Sequence, residues 1–122
     1  MAKKILLVDD AMTIRKLERA MLGSSYEYLE AGNGAEANTL ARQCLPDLIV
    51  MDLHMPVQDG IDGLAALKRE PATQRIPVLI LTSENEEQKR LRCLALGCAG
   101  FLRKPIDRLL FKTTVSRLLF GR

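Results

Sequence analysis

The run Ile5-Leu6-Leu7-Val8-Asp9-Asp10 decides how the chain folds. Four consecutive apolar, branched residues are too continuous for a strand with one face in water, and they suit a parallel-sheet strand covered on both sides. Leu48-Ile49-Val50-Met51, Val78-Leu79-Ile80-Leu81 and the shorter Phe101-Leu102 read the same way, while Tyr26 to Ala31 alternates with Glu27 and Glu30 and reads as an edge strand. Between the runs lie helical patterns. Residues 11–22 carry Ile14, Leu17 and Met21 at helical spacing with Arg15, Lys16, Glu18 and Arg19 between them, and Gly23 stops the helix. Residues 34–43 (Ala37, Leu40, Ala41 inward), 61–69 (Ile61, Leu64, Leu67 inward) and 84–96 (Leu91, Leu94, Ala95 inward) repeat the pattern. A fifth helix, 107–120, follows Pro105 with a core stripe of Phe111, Val115 and Leu118.

Five repeats of strand then helix, joined by right-handed crossovers, predict an α/β three-layer sandwich. The natural assignment is a flavodoxin-like parallel sheet of order 2-1-3-4-5 with five helices. At 122 residues the chain has room for one domain, 1–122, without a separate output domain. A hydrophobic share of 48% against 27% charged excludes intrinsic disorder. No apolar run approaches the roughly 18 residues of a membrane span, and the start Met1-Ala2-Lys3-Lys4 leads into only four apolar residues, so export and insertion are not expected. Cys44, Cys93 and Cys98 form an odd set without a CxxC, which argues against disulfides or structural zinc and for a reducing cytoplasm. Residues 1–83 carry a net charge of minus two and residues 84–122 plus five. With no Trp and 4% aromatic residues there is little for a base-stacking platform, so the basic third reads as a solvated face and no direct nucleic-acid binding is expected.

In sheets of this type ligands sit beyond the carboxyl ends of the strands, where strand order reverses. Asp9 and Asp10 end the first strand, Asp52 the third, Thr82 the fourth and Lys104 the fifth. Three converging carboxylates repel unless a cation offsets them, and an all-oxygen set favours Mg²⁺, which in turn prefers a phosphate oxygen as a further ligand. Lys104 would supply a point charge and Thr82 a hydroxyl for such a group. An Asp can itself be the nucleophile that forms an acyl phosphate, and Asp52 is the better candidate because an adjacent pair such as Asp9-Asp10 more naturally holds metal.

The combination of Asp9-Asp10 after an apolar strand, Asp52 with Met55-Pro56 and Asp59-Gly60 behind it, Thr82-Ser83 and Lys104-Pro105 resembles the CheY-like receiver domain of two-component response regulators. The resemblance covers the whole chain. It implies that Asp52 accepts a phosphoryl group and that one Mg²⁺ is held by Asp9, Asp10, Asp52 and the backbone carbonyl of His54. It implies that Lys104 pairs with the phosphoryl group, that the Lys104-Pro105 peptide is cis, and that Thr82 and Phe101 form the switch. His54 and Glu84 stand at positions that tune phosphoryl lifetime in the family, and Phe101 departs from the Tyr often found at its place. The partners implied are a sensor histidine kinase or histidine phosphotransfer protein, docking beside Met12 and Ile14, and a protein target at the fourth helix, fifth strand and fifth helix, near Leu109, Leu110 and Phe120. Such a protein modifies only its own Asp52 and turns over no external substrate.

Plainer readings stand beside these. Asp9-Asp10 suits a helix N-cap, Pro105 a first-turn proline, and Ile14 the core. Scattered exposed apolar residues such as Leu109, Leu110 and Phe120 occur on ordinary surfaces. Among rival functions, an Mg²⁺-dependent phosphatase with an aspartyl-phosphate intermediate wants an acid two residues after Asp52, where His54 stands. A flavin-phosphate binder wants Gly and Ser/Thr where Asp9-Asp10 stand. The chain also fits a receiver excised from a longer regulator with a DNA-binding or enzymatic output.

Overall fold

The structure, a computed structural model, describes residues 2–55, 59–83 and 87–121. Its elements alternate as expected: β1 (Lys4–Val8), α1 (Met12–Leu22), β2 (Glu27–Ala31), α2 (Gly34–Cys44), β3 (Leu48–Asp52), α3 (Gly60–Arg69), β4 (Val78–Thr82), α4 (Glu87–Ala95), β5 (Gly100–Arg103) and α5 (Arg108–Phe120). All strand pairs are parallel, in the order β2-β1-β3-β4-β5. The continuous apolar runs became the three central strands, buried on both faces, and the alternating Tyr26–Ala31 segment contributes the half-exposed edge β2. No helix among the described residues is long and apolar enough to cross a membrane.

Strand alternation sorts the core into two layers. Leu6, Val8, Ile49, Met51, Val78 and Ile80 meet Ala37 and Ala41 of α2, Leu64 and Leu67 of α3 and Cys93 of α4. Ile5, Leu7, Leu48, Val50, Leu79 and Leu81 meet Leu22 of α1 and Phe111 and Val115 of α5. Side-chain caps set three of the helix starts. Asn33 accepts from the Glu36 amide, Asp59 from the Asp62 amide, and Asp107 from the amides of Leu109 and Leu110. Pro105 therefore precedes the cap of α5 and is not a first-turn proline; its peptide with Lys104 is cis, as the resemblance implied. Asp9-Asp10 do not cap α1 either, since its N-cap is Ala11, which makes no side-chain bond.

Two helices face inward differently from their spacing. On α1, Leu17 is 48% exposed while Glu18 is 1% exposed. Leu22 packs into the core, so the inward row runs from half-buried Ile14 through buried Glu18 to buried Leu22 in steps of four, and Leu17 falls about 100° to one side. On α4, Leu91, Leu94 and Ala95 are exposed and Cys93 is buried. That helix closes with Cys98 N–H donating to the Cys93 carbonyl and Gly97 N–H to the Leu94 carbonyl, Gly97 lying at φ +97°. The closure turns Cys93, together with Leu96 and Cys98, toward the sheet.

Gly60 seats the start of α3 against the end of β3. Its N–H donates to the Leu53 carbonyl at 2.9 Å, and a Cβ there would stand 2.5 Å from the Asp52 carbonyl oxygen and 2.8 Å from the Leu53 Cα. Both obstacles are backbone, so no side-chain rotation relieves them. Gly60→Ala is expected to destabilise by about 3 kcal/mol. Gly32→Ala, whose Cβ would meet its nearest atom at 3.9 Å, should stay near wild type in the same thermal melts.

Candidate functional site

The rim at the carboxyl ends of β1, β3 and β5 gathers charge that no other described part of the chain brings together. Asp9, Asp10 and Asp52 each place a carboxylate oxygen within 4.8 Å of the others. Asp9 and Asp52 are buried and Asp10 is exposed. Asp9 is held by the Ala11 amide, which donates to its Oδ1 at 2.9 Å, while the Arg15 guanidinium donates to its backbone carbonyl. Arg15 also pairs with Glu30 of β2 at 2.8 Å, which ties α1 to the edge strand.

Lys104 Nζ bridges the carboxylates, 3.1 Å from Asp9 Oδ2 and 3.5 Å from Asp52 Oδ1. The His54 amide donates to the same Asp52 Oδ1 at 3.4 Å. Burial pushes the Asp52 carboxyl above its ordinary pKa; Lys104 acts against that and Asp9 with it. For Lys104, burial disfavours the charged form, but the attraction of Asp52, Asp9 and Glu18 outweighs it and the ammonium is held more firmly than usual. The result is an acidic cluster whose two buried carboxylates share the Lys104 ammonium, with the third carboxylate, Asp10, exposed to solvent. Three oxygen donors so close together, with no sulfur or imidazole ligand in the group, suit a hard divalent cation.

Thr82 is the last residue of β4 and is buried. By alternation it belongs to the sheet face of Val78 and Ile80, as does half-buried Phe101, whereas Asp9, Asp52 and Lys104 continue the opposite face. The Lys104 amide donates to the Thr82 carbonyl at 2.8 Å, joining the two sets at the rim. Met12 is exposed and Ile14 half-buried at the start of α1; Leu109, Leu110 and Phe120 are exposed on α5, Leu109 at 71%. Glu84 and Pro56 lie outside the described residues.

Glu18 was not found from sequence, because a Glu between Leu17 and Arg19 matches the polar face of an amphipathic helix. It is buried on the same face as the cluster, with its Oε1 lacking a hydrogen-bond partner. Burial, then the charge of Asp9, pushes its pKa up to about 8, with Lys104 pulling the other way. A carboxyl whose folded pKa lies above its unfolded value contributes its stability below about 4.5, and that contribution is lost as pH rises to about 8. Glu18→Val is therefore expected to raise the melting temperature little at pH 4.5 and progressively more toward pH 8, with a ceiling of about 4 kcal/mol. A pH-independent gain in thermal melts would contradict this account.

Comparison with known proteins agrees with this geometry. Residues 5–116 match the response regulator receiver domain family model. The chain is 35% identical over 120 residues to the chemotaxis protein CheY of Halobacterium salinarum, covering 98% of each. It is 33% identical to the protein PilH of Pseudomonas aeruginosa, over 97% of this chain and 98% of that one. Against the response regulator PleD of Caulobacter vibrioides it is 36% identical over 119 residues, but spans only 26% of that protein's length. Among solved structures, the chemotaxis protein CheY4 of Vibrio cholerae superposes with a TM-score of 0.90 at 32% identity, covering 98% of this chain and all of that one. With the sheet order, the strand-end carboxylates and the bridging lysine in place, the chain belongs to the receiver domain family of two-component response regulators.

Proposed function

We propose that the chain is a phosphorylation-gated signalling module in which Asp52 accepts a phosphoryl group from a phosphohistidine of a sensor histidine kinase or histidine phosphotransfer protein. The observation that carries this reading is Lys104 Nζ lying between Asp9 and Asp52 at 3.1 and 3.5 Å, a cation already placed where a phosphoryl group on Asp52 would need one. In the transfer an Asp52 carboxylate oxygen forms a bond to phosphorus as the phosphorus–nitrogen bond of the donor breaks, giving an acyl phosphate that water later hydrolyses back to carboxylate and phosphate. Mg²⁺, held by Asp9, Asp10, Asp52 and the backbone carbonyl of His54, would offset the charge of the carboxylates and of the phosphoryl oxygens. Asp10, the exposed member, is the ligand open to entry from solvent.

Lys104 leaves Asp9 and Asp52 for the phosphoryl oxygens, and the Thr82 hydroxyl turns toward the same group. The Lys104 amide bonds the Thr82 carbonyl, so these two movements share a backbone link. Phe101 then repacks against the layer that holds Cys93 of α4, which alters the face of α4, β5 and α5. Contacts that differ between the two arrangements shift their populations, and a target that prefers the altered face reinforces the shift. Exposed Leu91, Leu94, Leu109, Leu110 and Phe120 supply apolar anchors on that face, with Met12 and Ile14 beside the acidic rim for the phosphodonor. His54 and Glu84 tune the phosphoryl lifetime. The protein works in the cytoplasm, turns over no external substrate, and acts alone or as the input of a longer regulator.

Intact mass after incubation with acetyl phosphate is expected to increase by one phosphoryl group in Mg²⁺ and not in excess chelator, with no gain for Asp52→Ala. Mg²⁺ should also raise the melting temperature of the unphosphorylated protein, and Asp10→Ala should remove most of that rise. Failure of the parent to gain mass from acetyl phosphate and also from a phosphorylated histidine kinase would overturn the reading.

A further inference from the structure

Asp9 and Asp10 are consecutive, so the peptide that joins them sets the direction of both carboxylates. Its carbonyl belongs to Asp9 and accepts from Nη1 of Arg15, which reaches back from the first turn of α1. The same guanidinium is braced from the edge strand, where Oε1 of Glu30 accepts from Arg15 Nε at 2.8 Å. The other oxygen of Glu30 accepts from Arg19 at 2.9 Å. The peptide on the near side of Asp9 is tied to that strand as well, its N–H donating to the Ala31 carbonyl at 3.1 Å. Both peptides flanking Asp9 are thus referred to adjacent residues of β2. The Arg15 side chain is only 15% exposed, so this fork is better shielded than an ordinary surface ion pair.

We propose that Arg15, braced by Glu30, is a positioning residue for the divalent cation: it fixes the peptide between Asp9 and Asp10 so that the two carboxylates keep the geometry Mg²⁺ demands. The proposal rests on the reading of the acidic cluster as a Mg²⁺ site. The charge of Arg15 alone would oppose a metal ion, but Glu30 offsets it, and orientation is what the pair contributes. A planar guanidinium presents its nitrogens in a fixed fork, one to Glu30 and one to the Asp9 carbonyl, whereas a lysine carries the same charge on a single nitrogen. Mg²⁺ requires near-ideal octahedral geometry, while Ca²⁺ accepts a looser arrangement of oxygens. A site whose joining peptide is free to rotate therefore loses Mg²⁺ more than Ca²⁺. Lys104, which also holds Asp9 at 3.1 Å, is the contact that the proposed transfer releases, so the fork is a hold on Asp9 that persists when the ammonium leaves.

The test measures Mg²⁺ and Ca²⁺ binding to the unphosphorylated protein by calorimetry for the parent, Arg15→Lys, Glu30→Ala and Arg19→Ala, with thermal melts in chelator to check folding. Arg15→Lys keeps the charge and removes the fork, and its Mg²⁺ dissociation constant is expected to rise about tenfold or more. The Ca²⁺ constant should rise only about twofold, because that ion tolerates the altered geometry. Glu30→Ala leaves Arg15 in place but unbraced; it should shift the ratio of the two constants in the same direction, and it decides the matter if Arg15→Lys fails to fold. Arg19→Ala removes only the outer partner of Glu30 and should match the parent. Unchanged constants in both fork variants, an equal loss of both ions, or a loss of Mg²⁺ in Arg19→Ala as large as in Arg15→Lys would overturn the proposal, the second outcome marking an effect of charge or general stability. No Mg²⁺ binding by the parent would instead bring down the metal-site reading, and this proposal with it.

Discussion

The attraction of one ammonium for two buried carboxylates organises this molecule. Asp9 and Asp52 end adjacent parallel strands, and parallel pairing forces them into proximity whatever their charge. Lys104, reaching in from beyond the edge strand, makes that proximity tolerable at 3.1 and 3.5 Å. The arrangement is a compromise and not an optimum. Asp52 is still pushed toward its neutral form by burial, and Asp10 remains exposed to solvent. A site in this condition gains from binding a further cation, and then from releasing its own cation to an incoming anion. Charge frustration at the strand ends would thus be the source of the proposed reactivity, and the rest of the fold has to be rigid enough to sustain it.

That rigidity is visible in β1, β3 and β4, whose apolar runs are buried on both faces, and in Gly60, whose missing side chain lets α3 approach the Asp52 carbonyl. Most of this was legible in the sequence. Continuous runs of Ile, Leu and Val have one good solution, a central parallel strand, and the polar residue that ends each run then falls at the ligand-binding rim without further information. Asp9, Asp10, Asp52, Thr82 and Lys104 could be placed from that logic alone.

Helix orientation was less legible, for a physical reason. Periodicity locates an apolar stripe only to within about one residue, or 100°, and the sheet chooses among the options. On α1 the choice fell on the row ending at Leu22, which buried Glu18 and left Leu17 in water. On α4 three apolar residues, Leu91, Leu94 and Ala95, pointed to one face, yet the closing turn at Gly97 committed Cys93 to the core instead. Pro105 was legible in its main reading, a proline ahead of the fifth helix, and only the plainer alternative of a first-turn proline fails, because Asp107 caps the helix two residues later. On both α1 and α4 the error lies where tertiary packing overrides a local preference.

The alternation of the strands has one more consequence. Asp9, Asp52 and Lys104 lie on the face covered by α1 and α5, whereas Thr82 and Phe101 lie on the face covered by α2, α3 and α4. An event at the carboxylates therefore begins on one side of the sheet, while the packing that would carry it to α4 is on the other. Side chains cannot connect the two through the central strands, because those strands are fully buried and close-packed on both faces. The connection has to pass around the end of the sheet, and there the Lys104 amide bonds the Thr82 carbonyl at 2.8 Å. Under the proposed function, movement of Lys104 toward a ligand would act on the backbone at the ends of β4 and β5 together, the one route by which a small shift of one ammonium would be felt on the opposite face.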